Sequence, residues 1–249
     1  VTSLDDLDDL DGLDDHALAA RLAELAGALL LAIRSQGGKE GDRQSNELLL
    51  GLLARSRPGD AVLSEESADD PVRLDRERVW IIDPLDGTRE YGEPPREDWA
   101  VHVALALGGQ PAVGAVALPA AGLVLRTGAP PTSPPGTPGP VRLVVSRTRP
   151  PACVDLLRTH LDAELVPMGS AGAKAMAVVR GQADVYAHSG GQFEWDSCAP
   201  VAVAAAAGLH VSRLDGSPLR YNRPDPYLPD LLICRPDLAA AVLSVLQES

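Results

Sequence analysis

A run of apolar residues, Val79-Trp80-Ile81-Ile82, leads straight into Asp83-Pro84-Leu85-Asp86-Gly87-Thr88. The run reads as a buried strand. At its end Pro84 removes a ladder donor and Asp86-Gly87 is turn chemistry, so the backbone bends. On a continuing strand, positions three apart point to opposite faces. The bend lets the Asp83 and Asp86 carboxylates converge and exposes the Leu85 carbonyl between them. Three oxygen donors placed this way suit a hard cation such as Mg²⁺ rather than zinc. The plainer alternative is an Asp-Gly turn whose acids only cap backbone amides.

The remaining pattern places this strand in a layered α+β or α/β sandwich. With 249 residues and 45% hydrophobic content, the chain can bury a sizeable core as one large unit or two modest ones. Residues 1–15 read as an acidic leader, rich in Leu-Asp-Asp from residue 3 and frayed or weakly helical there. Helical spacing runs from His16 to Arg34 and again from Asn46 to Arg57, with Gly37-Gly38-Lys39-Glu40-Gly41 between them as a loop. Strands are expected at 61–63, 79–82, 99–107, 112–118 and 122–126. Ala129 to Pro140 carries six prolines and reads as an exposed connection between lobes 16–128 and 141–249. Beyond it strands and helices alternate: strands at 141–146, 165–168, 184–187, 209–213 and 231–234, and helices at 152–161, 171–180, 197–207 and 238–247. The result is two lobes in which helices cover two sheets. Gly190-Gly191 is expected to form a flexible loop.

A net charge of -13 excludes a nucleic-acid polymer as partner, which would need clustered Lys and Arg. No apolar run reaches the roughly 20 residues of a membrane span, and the N-terminal residues do not resemble a signal peptide. Three widely spaced cysteines, Cys153, Cys198 and Cys234, read as buried thiols, and the expected setting is cytoplasmic. Oligomeric state is not readable.

The run Asp83-Pro84-Leu85-Asp86-Gly87-Thr88 followed by Tyr91, together with Trp195-Asp196 followed by Ala199 and Ala207-Gly208, resembles the two signature motifs of the inositol monophosphatase superfamily of metal-dependent, lithium-sensitive phosphatases. Ser64-Glu65-Glu66-Ser67 lies where that superfamily carries a metal-binding Glu, which makes Glu65 the ligand. The resemblance extends from about Ala17 onward and implies a layered sandwich, a phosphatase activity and two or three Mg²⁺ ions. Four carboxylates around one point repel one another unless divalent cations occupy the site. In a two-metal scheme Asp83 would bridge the ions, Glu65 and the Leu85 carbonyl would complete one shell, and Asp86 with Asp196 would hold the other. Asp196 is equally an N-cap for the helix that follows. Thr88 would accept a hydrogen bond from the attacking water and donate to an acid. Asp42 is the matching partner by position, although Lys39 to Asn46 departs from the family's wording, and an ordinary helix cap is its alternative.

Gly169-Ser170-Ala171-Gly172-Ala173-Lys174 opens a helix, so its free amides, hydroxyl and ammonium make an anion site. This stretch, Ser146-Arg147 after a strand, and Glu194 before Trp195-Asp196 are similar to the 3′(2′),5′-bisphosphate nucleotidase branch, most of all to its bacterial CysQ-type members. The resemblance implies a small nucleotide substrate, 3′-phosphoadenosine 5′-phosphate, converted to AMP and phosphate in sulfate assimilation. It also implies substrate contacts from Gly87, Thr88, Ser146, Gly169, Ser170, Lys174, Glu194 and Asp196, with Arg147 as a further candidate. Arg149 reads better as a solvated strand end, and His102 as a structural histidine with a small chance of touching substrate. Inositol-1-phosphatase, fructose-1,6-bisphosphatase and a phosphonucleotide-binding regulator without turnover are the alternatives.

Overall fold

The computed structural model describes residues 10–132, 136 and 139–247. Most of the expected leader, part of the proline-rich stretch and the last two residues lie outside the described residues. The described end of the leader is packed rather than frayed. Leu10 is fully buried, and Asp14 caps α1 (Asp15–Ile33) by accepting from Ala17 N. Asp15 pairs with Arg57 and Arg78.

After α1 come α2 (Gly38–Ser56), β1 (Ala61–Ser64), β2 (Arg78–Asp86), α3 (Thr88–Tyr91), β3 (Ala100–Leu107), β4 (Gln110–Leu118) and β5 (Leu123–Arg126). The second half comprises β6 (Arg142–Ser146), α4 (Cys153–Leu161), β7 (Glu164–Met168), α5 (Ala171–Val179), β8 (Val185–Phe193), α6 (Glu194–Ala206), β9 (His210–Ser212), β10 (Tyr227–Cys234) and α7 (Ala239–Gln247). The strands form two five-stranded sheets, ordered β1-β2-β3-β4-β5 and β7-β6-β8-β10-β9. Both are mixed: β1 pairs parallel with β2, β6 with β7 and β8, and the remaining neighbours are antiparallel.

Alternation along β2 explains the layers. Trp80 and Ile82 enter the core shared with α1 and α2, whereas Val79 and Ile81 enter the core shared with α5 and α6. Helices α4 and α7 cover the outer face of the second sheet. Thus α5 and α6 form a middle layer whose core reaches both sheets. The proline-rich stretch separates the sheets in sequence, not in packing.

Four local expectations change. First, α1 with its following turn, 15–36, is long and apolar enough to cross a membrane, contrary to the sequence reading, but 56% of its most apolar window is buried in the fold, as in a core helix. Second, α2 begins at Gly38, so Lys39 is an exposed helical residue rather than part of a loop, and Asp42 lies inside the helix rather than capping it. Third, Gly190-Gly191 belongs to β8, as an extra residue opposite β10: Ser189 faces Asp230, whereas Gln192 faces Leu228. Finally, α6 starts three residues earlier than expected, so Asp196 stands in its first turn and accepts from Phe193 N at 2.7 Å instead of being the N-cap.

Candidate active site

The register of β2 against β3 shows how the two acids converge. Asp83 opposes His102 and Asp86 opposes Ala100, so β2 spans three residues where β3 spans two. The extra residue is a bulge at Pro84-Leu85, and it restores Asp83 and Asp86 to the same face. Local bonds fix it: Leu85 N donates to Asp83 Oδ1 at 3.1 Å, and Ser45 Oγ from α2 donates to the Pro84 carbonyl at 2.8 Å. Gly87 then turns the chain into α3 with φ +87°, and a Cβ there would come within 2.9 Å of Ser170 Cβ.

Oxygen atoms of Asp83, Asp86 and Asp196 lie within 4.8 Å of one another. All are hard donors, so the set fits Mg²⁺. Burial, followed by the charges of Glu65 and Asp86, pushes Asp83 well above the usual carboxylate range. Burial and then the Asp86 charge bring Asp196 to about 7. Glu65 reaches about 7 for the same two reasons, although it opens to solvent, and its carboxyl is within hydrogen-bonding reach of Asp83. Acids crowded this closely must share protons or cations.

Asp86 behaves differently. Burial pushes it up, but the contact and charge of His102, the charge of Lys174 and the Ser170 hydroxyl outweigh that and lower it to about 2. It accepts from Ser170 Oγ at 2.5 Å, Ala171 N at 3.1 Å and Gly172 N at 2.6 Å. The anion expected at the start of α5 is therefore the carboxylate of Asp86, seated where helix amides converge.

Thr88 Oγ1 lies 3.2 Å from Asp42 Oδ2 and 3.3 Å from the Leu85 carbonyl, both acceptors for its single proton. Burial, with help from the charge of Glu66, raises Asp42 to about 7.

A cleft of about 510 Å³ runs outward from Asp86, Thr88 and Asp196. Gly87, Ser146, Gly169, Ser170 and Lys174 line it, as the sequence reading expects of substrate contacts. Glu194 does not. It is 1% exposed, and its carboxylate accepts from Asn222 N at 2.6 Å and Arg223 N at 2.9 Å. Arg147 is also committed elsewhere, to Glu90 at 2.6 Å and Glu93 at 2.8 Å. Lys174 Nζ donates to the carbonyls of Gly169 and Ser170 and stands 5.4 Å from the centre of the Tyr186 ring, which leaves one donor for the cleft.

The sequence reading missed Arg89; Arg149 is exposed just beyond β6, as a solvated strand end would be, and both line the cleft, with no ion pair on either guanidinium among the described residues. It also missed Ser45, and it left His102 as a structural residue. His102 is wholly buried, with Nδ1 2.9 Å from the Trp195 carbonyl and Nε2 3.2 Å from Asp86 Oδ2.

The model of the inositol monophosphatase family matches residues 38–129 and 142–249. The chain is 55% identical over 240 residues, 90% of each chain, to the 3′-phosphoadenosine 5′-phosphate phosphatase of Mycobacterium tuberculosis. It is 33% identical over 202 residues to the 3′(2′),5′-bisphosphate nucleotidase CysQ of Escherichia coli K12, covering 75% of this chain and 80% of that one. Among solved structures, CysQ of Bacteroides thetaiotaomicron superposes with a TM-score of 0.74 at 26% identity, covering 90% of this chain and 98% of the other. With both motifs placed on one cluster and the match running through both sheets, this chain belongs to the inositol monophosphatase family.

Proposed function

We propose that the chain is a Mg²⁺-dependent phosphatase that removes the 3′-phosphate of 3′-phosphoadenosine 5′-phosphate, giving AMP and inorganic phosphate. The observation that carries this reading is the continuity of the acid cluster with a cleft that Lys174, Arg89 and Arg149 also line. A cluster alone serves any phosphate monoester. Cations in the cleft lining suit a second phosphate that is bound and not cleaved, and relatives 55% identical bear the name of that activity.

Glu65, Asp83, Asp86, Asp196 and the Leu85 carbonyl would hold the ions, which supply charge to the reacting phosphate and acidity to a water when bound. Thr88, donating its proton to Asp42, keeps a lone pair that accepts from the attacking water and aims it at phosphorus. Asp42, brought to about 7, is suited to receive a proton from that chain. As water adds, its proton passes through Thr88 to Asp42, the bond from phosphorus to the 3′-oxygen breaks, and that oxygen leaves as an alkoxide that takes its proton from bulk water. Lys174, Arg89 and Arg149 grip the 5′-phosphate and so fix which ester reaches Thr88. Three free thiols agree with a cytoplasmic setting.

The test compares kcat/KM on 3′-phosphoadenosine 5′-phosphate, inositol 1-phosphate and fructose 1,6-bisphosphate. The nucleotide should be favoured by at least about tenfold over both, the worth of one charged hydrogen bond. A preference for either of the others would refute the substrate assignment while leaving the phosphatase chemistry intact.

A further inference from the structure

Strand β8 brings two buried acceptors to the cleft that the chemistry above does not use. His188 and Gln192 both line the cleft, and both lie against Tyr186. The His188 ring is centred 6.3 Å from the tyrosine ring, and Gln192 Nε2 donates to Tyr186 Oη at 2.8 Å. Within the bulge of β8, Gly190 and Gly191 have φ of +77° and +75°, a backbone that side chains rarely adopt. There the Gly190 carbonyl lies 2.7 Å from His188 Nε2. A carbonyl can only accept, so the ring proton sits on Nε2, and Nδ1 of the neutral imidazole carries a lone pair. Burial, joined by the charges of Lys174 and Arg149, lowers the imidazole to about 4 and so keeps it neutral.

Gln192 is 4% exposed, and with its amide nitrogen given to Tyr186, its Oε1 is an acceptor too. Among the described residues neither His188 Nδ1 nor Gln192 Oε1 has a hydrogen-bond partner. Buried acceptors are costly to leave unmet, and two on one wall of a cleft point to a ligand that meets them. That ligand must donate. Phosphate oxygens bring lone pairs, so neither phosphate of the substrate can serve. The nucleoside offers two kinds of donor, the 6-amino group of the base and the 2′-hydroxyl. It is also in reach, because Lys174 and Arg149, whose charges act on His188, are the cations assigned above to the 5′-phosphate that the nucleoside carries.

We propose that His188 and Gln192 form the nucleoside subsite of the cleft, two neutral acceptors that take a hydrogen bond from the 6-amino group or the 2′-hydroxyl and so read the nucleoside rather than its phosphates. This rests on the substrate reading above and deepens it. Neither residue touches the reacting phosphate; they set specificity.

The test is kcat/KM of the full chain in Mg²⁺ on 3′-phosphoadenosine 5′-phosphate, its 2′-deoxy form and its inosine counterpart, in which a carbonyl oxygen replaces the 6-amino group. A site built to hydrogen-bond a substrate donor rejects the analogue that lacks it, so the wild type should lose about tenfold or more on at least one analogue, and which one identifies the donor. Gln192→Met keeps the length of the side chain and removes both amide atoms, and His188→Phe keeps a ring and removes both nitrogens. Each should lower kcat/KM on the parent nucleotide by about tenfold and shrink the penalty on that analogue to within about threefold, since an acceptor that is gone cannot miss its donor. The penalty is a ratio within one protein, so a smaller folded fraction cancels from it. A wild type that favours the nucleotide yet is indifferent to both analogues overturns the proposal. So does a penalty that stays at its wild-type size in both variants, with equal losses on all three nucleotides, which would assign His188 and Gln192 to a phosphate or to the fold. A wild type that prefers inositol 1-phosphate overturns the substrate reading itself, and this proposal with it.

Discussion

Thr88 and Lys174 are the side chains on which activity and specificity separate. Replacing Thr88 with Ala removes the group that orients water and leaves the cleft open, so kcat should fall by about 10²- to 10⁴-fold while KM changes little. A loss confined to KM would mean that Thr88 binds substrate instead. Lys174→Ala should cost about 10- to 100-fold in kcat/KM on the bisphosphate, as loss of a charge-assisted hydrogen bond does, and much less on 3′-AMP. Equal losses on both would assign Lys174 to the carbonyls of Gly169 and Ser170 that it already holds. Asp83 and Asp86 were legible because the strand end that carries them is written in local sequence, and Asp196 only through its family motif, since the helix start was placed three residues late. His102 was not: its partners are Asp86 and Trp195, and nothing near position 102 reports a carbonyl 93 residues away.

The polar start of α2 explains why its first two turns were read as loop. Its buried face runs through Asp42, Ser45, Asn46, Leu49, Leu52 and Leu53, a helical stripe whose first half is polar because it faces the site rather than a core. A search for apolar periodicity finds only the second half. The bulge in β2 was legible in part: Pro84 and Asp86-Gly87 announce a departure from regular pairing, but the pairing of Asp83 with His102 and Asp86 with Ala100 depends on a partner strand. At the expected anion site of α5 the Ser170 hydroxyl and the free amides meet Asp86, which reaches them from another element, a contact the local sequence does not announce. The close seating of α5 on β3 gives a further prediction. Gly172→Ala places a methyl against the His102 ring and Ala100, so overpacking should cost about 1–3 kcal/mol in thermal unfolding. Unchanged stability would mean that α5 can move off β3 without penalty.

Across the molecule, a chain of net charge -13 carries a buried knot of acids that the fold must keep together. The layered sandwich was legible because the order of apolar runs and helical stripes is preserved in the sheets. The sharing of the middle layer was not, since α5 and α6 pack on a sheet whose strands all precede them by more than 40 residues. The acids also set how stability responds to pH and metal. Glu65, Asp42 and Asp196 are raised to about 7 and Asp83 is raised well above the usual carboxylate range, each first by burial and then by neighbouring negative charge. Between the unfolded carboxylate range near about pH 4 and about pH 7, the folded metal-free chain holds more protons than the unfolded chain, so its stability falls as pH rises through that window. Mg²⁺ binds the ionised acids, so the gain in Tm from Mg²⁺ over chelator should grow from about pH 5 to about pH 8. A gain that is flat or shrinks with pH would mean that these acids do not meet the ion.

Asp83→Asn keeps the volume at the centre of the cluster and removes its charge, and phosphate release from 3′-phosphoadenosine 5′-phosphate reads the result directly. In metal-stripped protein resupplied with Mg²⁺, the wild type should regain turnover and produce AMP, while a folded Asp83→Asn protein should stay at the chelated background. Near-wild-type, Mg²⁺-dependent release by Asp83→Asn would show that the chemistry lies elsewhere.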